Sequence, residues 1–261
     1  MMSSFSAVAS NDIRIRPCVN PTRSGCEDVG DTRNGQEVAE ALRLLAARLE
    51  PQRRIVRAGD AIYRAGDRFA SLYVLNSGSV KVVNSSSDGR EQVVGLRLRG
   101  DWLGFDGIAS QRYGCAAIAM DTGEIWEIRY DALLAACAGD LRLMTVLHAA
   151  MSSEITRDRD SLMSVCTLPA DARVADFLRN WCDSLARSGL RTDQIMLRLT
   201  RAEIGNYLGM NLETVSRALS KLTRENLIFF ADKGRREVSI PDAGALAAFV
   251  QRHLAADPIL Q

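Results

Sequence analysis

The chain has 261 residues, of which 47% are hydrophobic and 25% charged, a composition typical of a globular protein with room for two domains. Its net charge of +1 excludes a protein coated with basic residues, so any nucleic-acid contact must come from a local patch. No apolar run approaches the roughly 20 residues that span a bilayer, and no export signal is evident. We therefore expect a cytoplasmic protein without membrane contact, whose six cysteines stay reduced.

The first segment, residues 1–34, is rich in Ser, Asn, Asp, Gly, Arg and Pro and shows no hydrophobic period. This composition predicts a flexible arm, which carries Cys18 and Cys26. Residues 36–49 place their apolar side chains on one stripe at helical spacing and predict a helix.

The next segment, residues 35–139, changes after about residue 54 to short alternating runs separated by glycines. Gly78 separates two such runs, and Asp88-Gly89 is a strong hairpin signal. Strands are expected at 72–75, 80–83, 93–98 and 125–128. Many short strands at this spacing predict a β-sandwich or barrel.

Residues 140–166 predict one long helix whose apolar residues recur close to every seventh position. A long apolar seam without a local partner indicates pairing with a second copy of the chain. The residues assigned to this dimer contact are Met144, Met151, Ile155, Asp158 and Leu162, and the seam also includes Leu141, Leu147, His148 and Val165. Two Asp158 carboxylates facing each other would repel and lose hydration, whereas outward-pointing ones would leave the apolar contact intact. The sequence leaves both arrangements open.

The last segment, residues 167–250, starts at a predicted hinge, Thr167-Leu168-Pro169, because proline disfavours helix in the residue before it. A helix is expected at 171–187, strands at 196–199, 228–230 and 237–240, and a closing helix at 243–253. The last two strands flank a glycine turn and predict a hairpin.

Residues 200–222 predict two short helices joined by a tight turn. Thr200, with Glu203 three residues later, forms a capping box at the first helix start. Gly209 ends that helix, and Asn211 or Thr214 starts the second. Helix, glycine turn and helix is the plan of the helix-turn-helix, whose second helix enters the DNA major groove.

The polar face of the second helix carries Glu213, Ser216, Arg217 and Lys221. Arg can donate twice to guanine, and Glu can accept from cytosine. Basic residues also outnumber acidic ones between residues 196 and 236. An ordinary helical hairpin with a solvated charged face is the alternative, and pattern alone does not decide between them.

Residues 204–209, followed by Glu213-Thr214-Val215-Ser216-Arg217, closely resemble the DNA-reading motif of the CRP/FNR family of bacterial transcription regulators, in its FNR-branch form. The glycines at 59, 66 and 78 and the stretch 98–106 are also similar to that family. The resemblance implies an α+β fold with an N-terminal cyclic-nucleotide-binding-type β-roll, a long dimerisation helix and a C-terminal winged helix-turn-helix. It further implies that an acidic residue at position 158 weakens the dimer, so that a signal controls assembly.

By the same resemblance, Glu213, Ser216 and Arg217 contact bases of a palindrome with TTGAT-like half-sites in double-stranded DNA. The protein would act as a homodimer and activate transcription through RNA polymerase, for which the loop 85–90 is a candidate surface. The other residues expected to contact DNA are Thr214, Arg201, Lys221, Arg235 and Arg236, the last two through phosphates.

The cofactor is unknown from the sequence. A cyclic-nucleotide pocket in this fold needs an Arg-Ser or Arg-Thr pair, but the corresponding loop has only Arg112, so cAMP is disfavoured. An FNR-type [4Fe–4S] cluster needs four thiolates. Only Cys18, Cys26 and Cys115 are candidates, and the family's roll cysteine position holds Trp126, so a cluster is disfavoured as well. Thiol oxidation, another ligand or control by abundance are the alternatives.

No catalytic constellation or metal motif is present in the sequence, and His148 and His253 have no ligand partners at metal spacing. We therefore assign no catalytic residue, no metal and no enzymatic activity. The rival interpretation is a small-molecule or redox-sensing binding module with a vestigial helix-turn-helix.

Overall fold

The computed structural model describes residues 29–86, 88–231 and 236–256. Its helices are α1 (Val29–Leu49), α2 (Gly107–Ser110), α3 (Tyr130–Gly139), α4 (Leu141–Thr167), α5 (Ala170–Arg187), α6 (Arg201–Leu208), α7 (Leu212–Arg224) and α8 (Ala243–Ala256). Its strands are β1 (Gln52–Val56), β2 (Ala61–Tyr63), β3 (Ser71–Ser77), β4 (Val80–Ser85), β5 (Glu91–Arg97), β6 (Trp102–Leu103), β7 (Ala116–Ala119), β8 (Gly123–Arg129), β9 (Gln194–Met196), β10 (Phe229–Phe230) and β11 (Glu237–Ser239).

The N-terminal domain is a β-roll of two four-stranded antiparallel sheets, with strand orders β1-β8-β3-β6 and β2-β7-β4-β5. Leu72, Leu75 and Ile125 are fully buried between them. Gly78 turns the chain from β3 into β4 at φ 88°, where a Cβ would lie 2.8 Å from the Cα of Gly123. The hairpin predicted around Asp88-Gly89 is confirmed, since β4 pairs with β5 across that turn.

The N-terminal helix α1 begins at Val29, seven residues before the predicted start, so helix replaces the last part of the predicted arm. An apolar stripe could not reveal this first stretch, because it is polar. Its backbone instead approaches the end of α5, where a Cβ on Gly35 would lie 2.9 Å from the Cα of Gly189. Cys18 and Cys26 lie outside the described residues.

The long helix α4 has two apolar faces, which the sequence pattern had merged into one. Asp140 caps its start by accepting from the Arg142 N–H, and α3, which was not predicted, precedes it. Leu143 and Leu147 are buried in the N-terminal core of the same chain, where α4 packs on α1 and α3. Assigning Leu147 to the dimer seam was therefore wrong.

The C-terminal domain packs α5–α8 around a three-stranded sheet of order β10-β11-β9. Leu178 of α5, Leu222 of α7 and Val238 of β11 are fully buried in its core. The predicted hairpin is confirmed as the β10–β11 pair. Strand β9 ends at Met196, earlier than predicted, because its partner β11 begins at Glu237, directly opposite Met196.

Candidate nucleic-acid interface

The helix-turn-helix forms as its local signals predict. The Thr200 hydroxyl accepts from the Glu203 N–H at 3.2 Å, and Glu203 Oε2 accepts from the Thr200 N–H at 2.8 Å, which completes the capping box. Gly209 ends α6 at φ 65°. Asn211, rather than Thr214, caps α7, since its Oδ1 accepts from the Thr214 N–H at 2.8 Å.

The angle between α6 and α7 depends on a close approach at Gly205. A Cβ there would lie 2.5 Å from the Met210 carbonyl oxygen in the turn. Ile204 and Val215 close the apolar contact between the two helices. Tight packing on this side leaves the opposite side of α7 facing outwards.

The predicted reading residues form one cluster at the N-terminal half of α7. Glu213 and Arg217 are exposed, and Arg217 Nη2 donates to the Thr214 hydroxyl at 3.2 Å. Arg201 Nη1 donates to the Ser216 hydroxyl at 3.1 Å. The structure thus brings together two guanidinium groups, a carboxylate and two hydroxyls, groups that can bond base edges and phosphates.

Lys221 lies apart from this cluster. Its ammonium group pairs with Asp171 of α5 and lies 5.6 Å from the centre of the Phe249 ring in α8. Burial alone would raise the pKa of Asp171, but the hydrogen bonds from Lys221 and the Ala172 N–H, together with the charge of Lys221, outweigh burial and lower that pKa. Spacing alone puts Lys221 one turn after Arg217, and only the position of α5 shows its different contact. Arg236 is exposed beside β11, and Arg235 lies outside the described residues.

Helix α6 packs against the free edge of β5 through contacts that the sequence did not reveal. Asn206 Nδ2 donates to the Glu91 carbonyl at 2.8 Å, and Asn206 Oδ1 accepts from the Val93 N–H at 2.6 Å. The Lys81 ammonium lies 2.5 Å from Glu203 Oε1. Such partners are over a hundred residues apart, and no local signal marks them.

A cavity of ≈ 310 Å³ lies between the roll and α4. Its lining includes Arg97 and the carboxylates of Asp106, Glu154 and Asp158. Arg97 is buried and its Nη2 donates to Glu154 Oε1 at 3.0 Å, so this cation is already paired. Arg112 points elsewhere and donates to the Gly66 carbonyl at 2.7 Å. This acidic lining does not suit the phosphate of a cyclic nucleotide.

The described cysteines do not suit an iron–sulfur cluster either. Cys115 lines the acidic cavity, where burial raises the pKa of its thiol to about 11, with Asp106 adding to the effect. Cys137 and Cys182 are buried in separate places. Within the described residues, no group of three or more His, Cys, Asp or Glu side chains could hold a metal ion. The side chain at the family's roll-cysteine position, Trp126, is buried and donates to Glu124 at 2.6 Å.

The second apolar face of α4 has no partner within the described chain. Ile155 is 49% exposed and Leu162 65% exposed. Met144 and Met151 are partly buried against the roll. Asp158 is exposed and lies at the rim of the acidic cavity. None of the described helices is both long and apolar enough to cross a bilayer.

Comparisons with known proteins match both domains. A model of the cyclic nucleotide-binding domain matches residues 53–140, and a model of the Crp-like helix-turn-helix domain matches residues 172–249. The fumarate and nitrate reduction regulatory protein of Salmonella typhimurium is 33% identical over 193 residues, covering 74% of this chain and 76% of the relative. Electron transport regulator A of Shewanella oneidensis is 32% identical over 173 residues, covering 66% of this chain and 69% of that relative.

Among solved structures, FixK2 from Bradyrhizobium japonicum superposes with a TM-score of 0.66 and 27% identity, covering 76% of this chain and 96% of that one. The helix-turn-helix model matches across α5–α8, and the core of that domain is complete, so the motif is not vestigial. The chain therefore belongs to the CRP/FNR family of DNA-binding transcription regulators.

Proposed function

We propose that this regulator binds a palindrome with TTGAT-like half-sites as a homodimer and reads it with Glu213, Ser216 and Arg217. The observation that carries the proposal is the exposure of Glu213 and Arg217 at the N-terminal half of α7, while the opposite face of that helix is buried. That half of a recognition helix contacts bases in proteins of this plan.

The remaining cations take two different roles in this proposal. Arg201, Arg235 and Arg236 contact phosphates and fix the register of the protein on the duplex. Lys221, paired with Asp171, holds α7 against α5 and acts on DNA only by positioning that helix.

The dimer forms through the second face of α4, with Ile155 and Leu162 at its centre and Met144 and Met151 at its side. Two-fold symmetry then places the two α7 helices in successive major grooves, roughly 34 Å apart. Asp158, exposed beside this face, weakens the pairing when two copies approach.

The protein works in the cytoplasm and acts as an activator through RNA polymerase, with the β4–β5 loop as a candidate contact surface. Its control does not use cAMP or a [4Fe–4S] cluster held by described cysteines. The acidic cavity and the raised pKa of the Cys115 thiol support that part of the proposal.

Fluorescence anisotropy tests the proposal with two labelled duplexes of equal composition, one carrying the TTGAT-like palindrome and one with the same bases scrambled. At one fixed salt concentration we expect the palindrome to bind at least about a thousandfold more tightly. Equal affinity for the two duplexes would rule out this half-site.

A further inference from the structure

A second cavity, of ≈ 160 Å³, lies where four elements meet. It is next to the acidic cavity on a neighbouring face of α4, since Ser153 and Arg157 line this one and the adjacent Glu154 and Asp158 line the other. It is bounded by α1, the turn between β5 and β6, α4 and the last turn of α5. Three arginines from three of these elements line it: Arg99 in the turn, Arg157 in α4 and Arg187 in α5. Three serines, Ser153, Ser184 and Ser188, line it too.

The charges around this cavity do not balance within the described residues. Asp101 is the one carboxylate among its lining residues. Its Oδ1 lies 2.6 Å from Arg157 Nη1, and its Oδ2 already accepts from the Leu98 N–H at 2.9 Å. Arg157 Nε is buried and has no hydrogen-bond partner among the described residues.

The other two guanidinium groups contact only neutral oxygens in the described part of the chain. Arg99 Nη1 donates to the Ser188 carbonyl at 3.4 Å, and Arg187 Nη2 donates to the Ser184 hydroxyl at 2.8 Å. The Arg187 cation suits the negative dipole at the end of α5. Neutral oxygens do not compensate the charges of Arg99 and Arg187, and no acceptor among the described residues reaches the Arg157 Nε–H. The described lining therefore carries a surplus of two positive charges.

We propose that this cavity binds a phosphate group, either inorganic phosphate or the phosphate end of a small metabolite. A phosphate offers several charged acceptor oxygens, and guanidinium groups bind such oxygens through paired, charge-assisted hydrogen bonds. The Ser153 hydroxyl adds a neutral donor. A volume of ≈ 160 Å³ holds a phosphate group and ordered water, since one water occupies about 30 Å³ in the liquid.

Such a ligand links the two domains. Arg187 belongs to the DNA-binding domain and Arg99 to the roll, and the Ser188 hydroxyl already donates to the Arg99 carbonyl at 3.1 Å. An anion shared by both guanidinium groups adds a second tie between α5 and the roll. Binding therefore raises the stability of the arrangement in which α5 is docked.

Isothermal titration calorimetry of the full chain without DNA tests the site, with sodium phosphate and glycerol 3-phosphate as probes and sodium chloride at equal ionic strength as the blank. We expect saturable binding of one phosphate group per chain. Tighter binding of glycerol 3-phosphate would identify a metabolite as the source, and tighter binding of inorganic phosphate the free ion.

Arg99→Gln and Arg187→Gln should each weaken binding at least about tenfold, because each removes a charge-assisted contact. Arg187 is exposed, and within the described residues its side chain hydrogen-bonds only to Ser184, so its variant should fold. Arg191→Gln is the matched control, since Arg191 is an exposed arginine that pairs with Asp193 outside the cavity. Arg217→Gln, which alters the proposed DNA interface, should leave phosphate binding unchanged. The proposal would be overturned if no saturable binding is seen at millimolar probe, or if the Arg99→Gln and Arg187→Gln variants bind phosphate as tightly as wild type does.

Discussion

Of the two glycines in the helix-turn-helix, Gly205 has the less space for a side chain. Gly205→Ala would place a methyl group 2.5 Å from the Met210 carbonyl oxygen, so the turn must move. We expect a loss of about 1–3 kcal/mol in the free energy of unfolding, the usual effect of overpacking. Chemical denaturation followed by circular dichroism measures it.

Gly139→Ala is the matched control, because nothing lies within 4 Å of a Cβ at that helical position. That change should leave the free energy of unfolding unchanged or raise it by up to about 1 kcal/mol. If Gly205→Ala lowers stability no more than Gly139→Ala, the close approach does not constrain the turn.

Glu203 connects the capping box to the roll through one carboxylate. Burial alone would raise its pKa, but hydrogen bonds from Lys81 and Thr200 outweigh burial and lower the pKa below its ordinary value of 4.5. The ionised carboxylate therefore stabilises the docked domain above pH 4.5, and this contribution is lost as the pH falls through the lowered pKa.

Lys81→Ala should raise the pKa of Glu203, because it removes the strongest of the opposing hydrogen bonds. An NMR titration of the Glu203 carboxyl carbon measures the change, and Lys81→Arg should retain a lowered pKa. The same pKa in wild type and Lys81→Ala would show that Lys81 does not pair with Glu203 in solution.

At the scale of elements, the docking of α6 on β5 depends on the Asn206 amide, which bonds the strand edge as a neighbouring strand would. Asn206→Ala should therefore speed hydrogen exchange at the Val93 amide, which donates to Asn206 Oδ1. Amides bonded within the β4–β5 ladder should stay protected. Asn84→Ala, an exposed asparagine of the same hairpin, is the control. Unchanged exchange at Val93 would mean that α6 is not docked there.

Elements with a local signal could be predicted from the sequence. The Thr200 and Glu203 capping box, the Gly209 turn and the Asp88-Gly89 hairpin each need only a few neighbouring residues, and all three are confirmed. The reading cluster was predictable for the same reason. Its members lie close together at the start of α7, except Arg201, which begins the preceding helix α6.

Long-range contacts could not be predicted in this way. The Asn206 amide bonds β5 only once the two domains have packed together. Lys221 pairs with Asp171, which lies fifty residues earlier in the chain. Leu147 was placed on the wrong face because two apolar stripes on α4 fit one approximate repeat. Separating the stripes requires knowing where the roll packs.

At the scale of the whole molecule, the uncovered apolar face of α4 should control assembly. Leu162→Asp would put a charge on each side of the two-fold contact, and we expect dimer affinity to fall about a hundredfold or more. Analytical ultracentrifugation across protein concentrations measures it. Leu254→Asp, which alters an exposed leucine of α8, should leave the dimer intact.

The same measurement on Asp158→Ala distinguishes the two arrangements of that residue. Tighter dimerisation would mean that the two carboxylates repel across the contact, and unchanged affinity would mean that they point outwards. A Leu162→Asp protein as dimeric as wild type would place the dimer contact elsewhere.

The most direct test of sequence-specific reading by α7 is an anisotropy titration of wild type and Arg217→Ala against the palindrome and a set of variant palindromes. Each variant palindrome is changed at one base pair of each half-site, and the set covers every base pair of the half-site. We predict that Arg217→Ala abolishes about 1–3 kcal/mol of discrimination at one such pair. Arg224 lies at the exposed C-terminal end of the same helix, so Arg224→Ala should change the affinity for the palindrome and for its variants by the same factor. Full discrimination by Arg217→Ala at every base pair of the half-site would contradict base reading by Arg217.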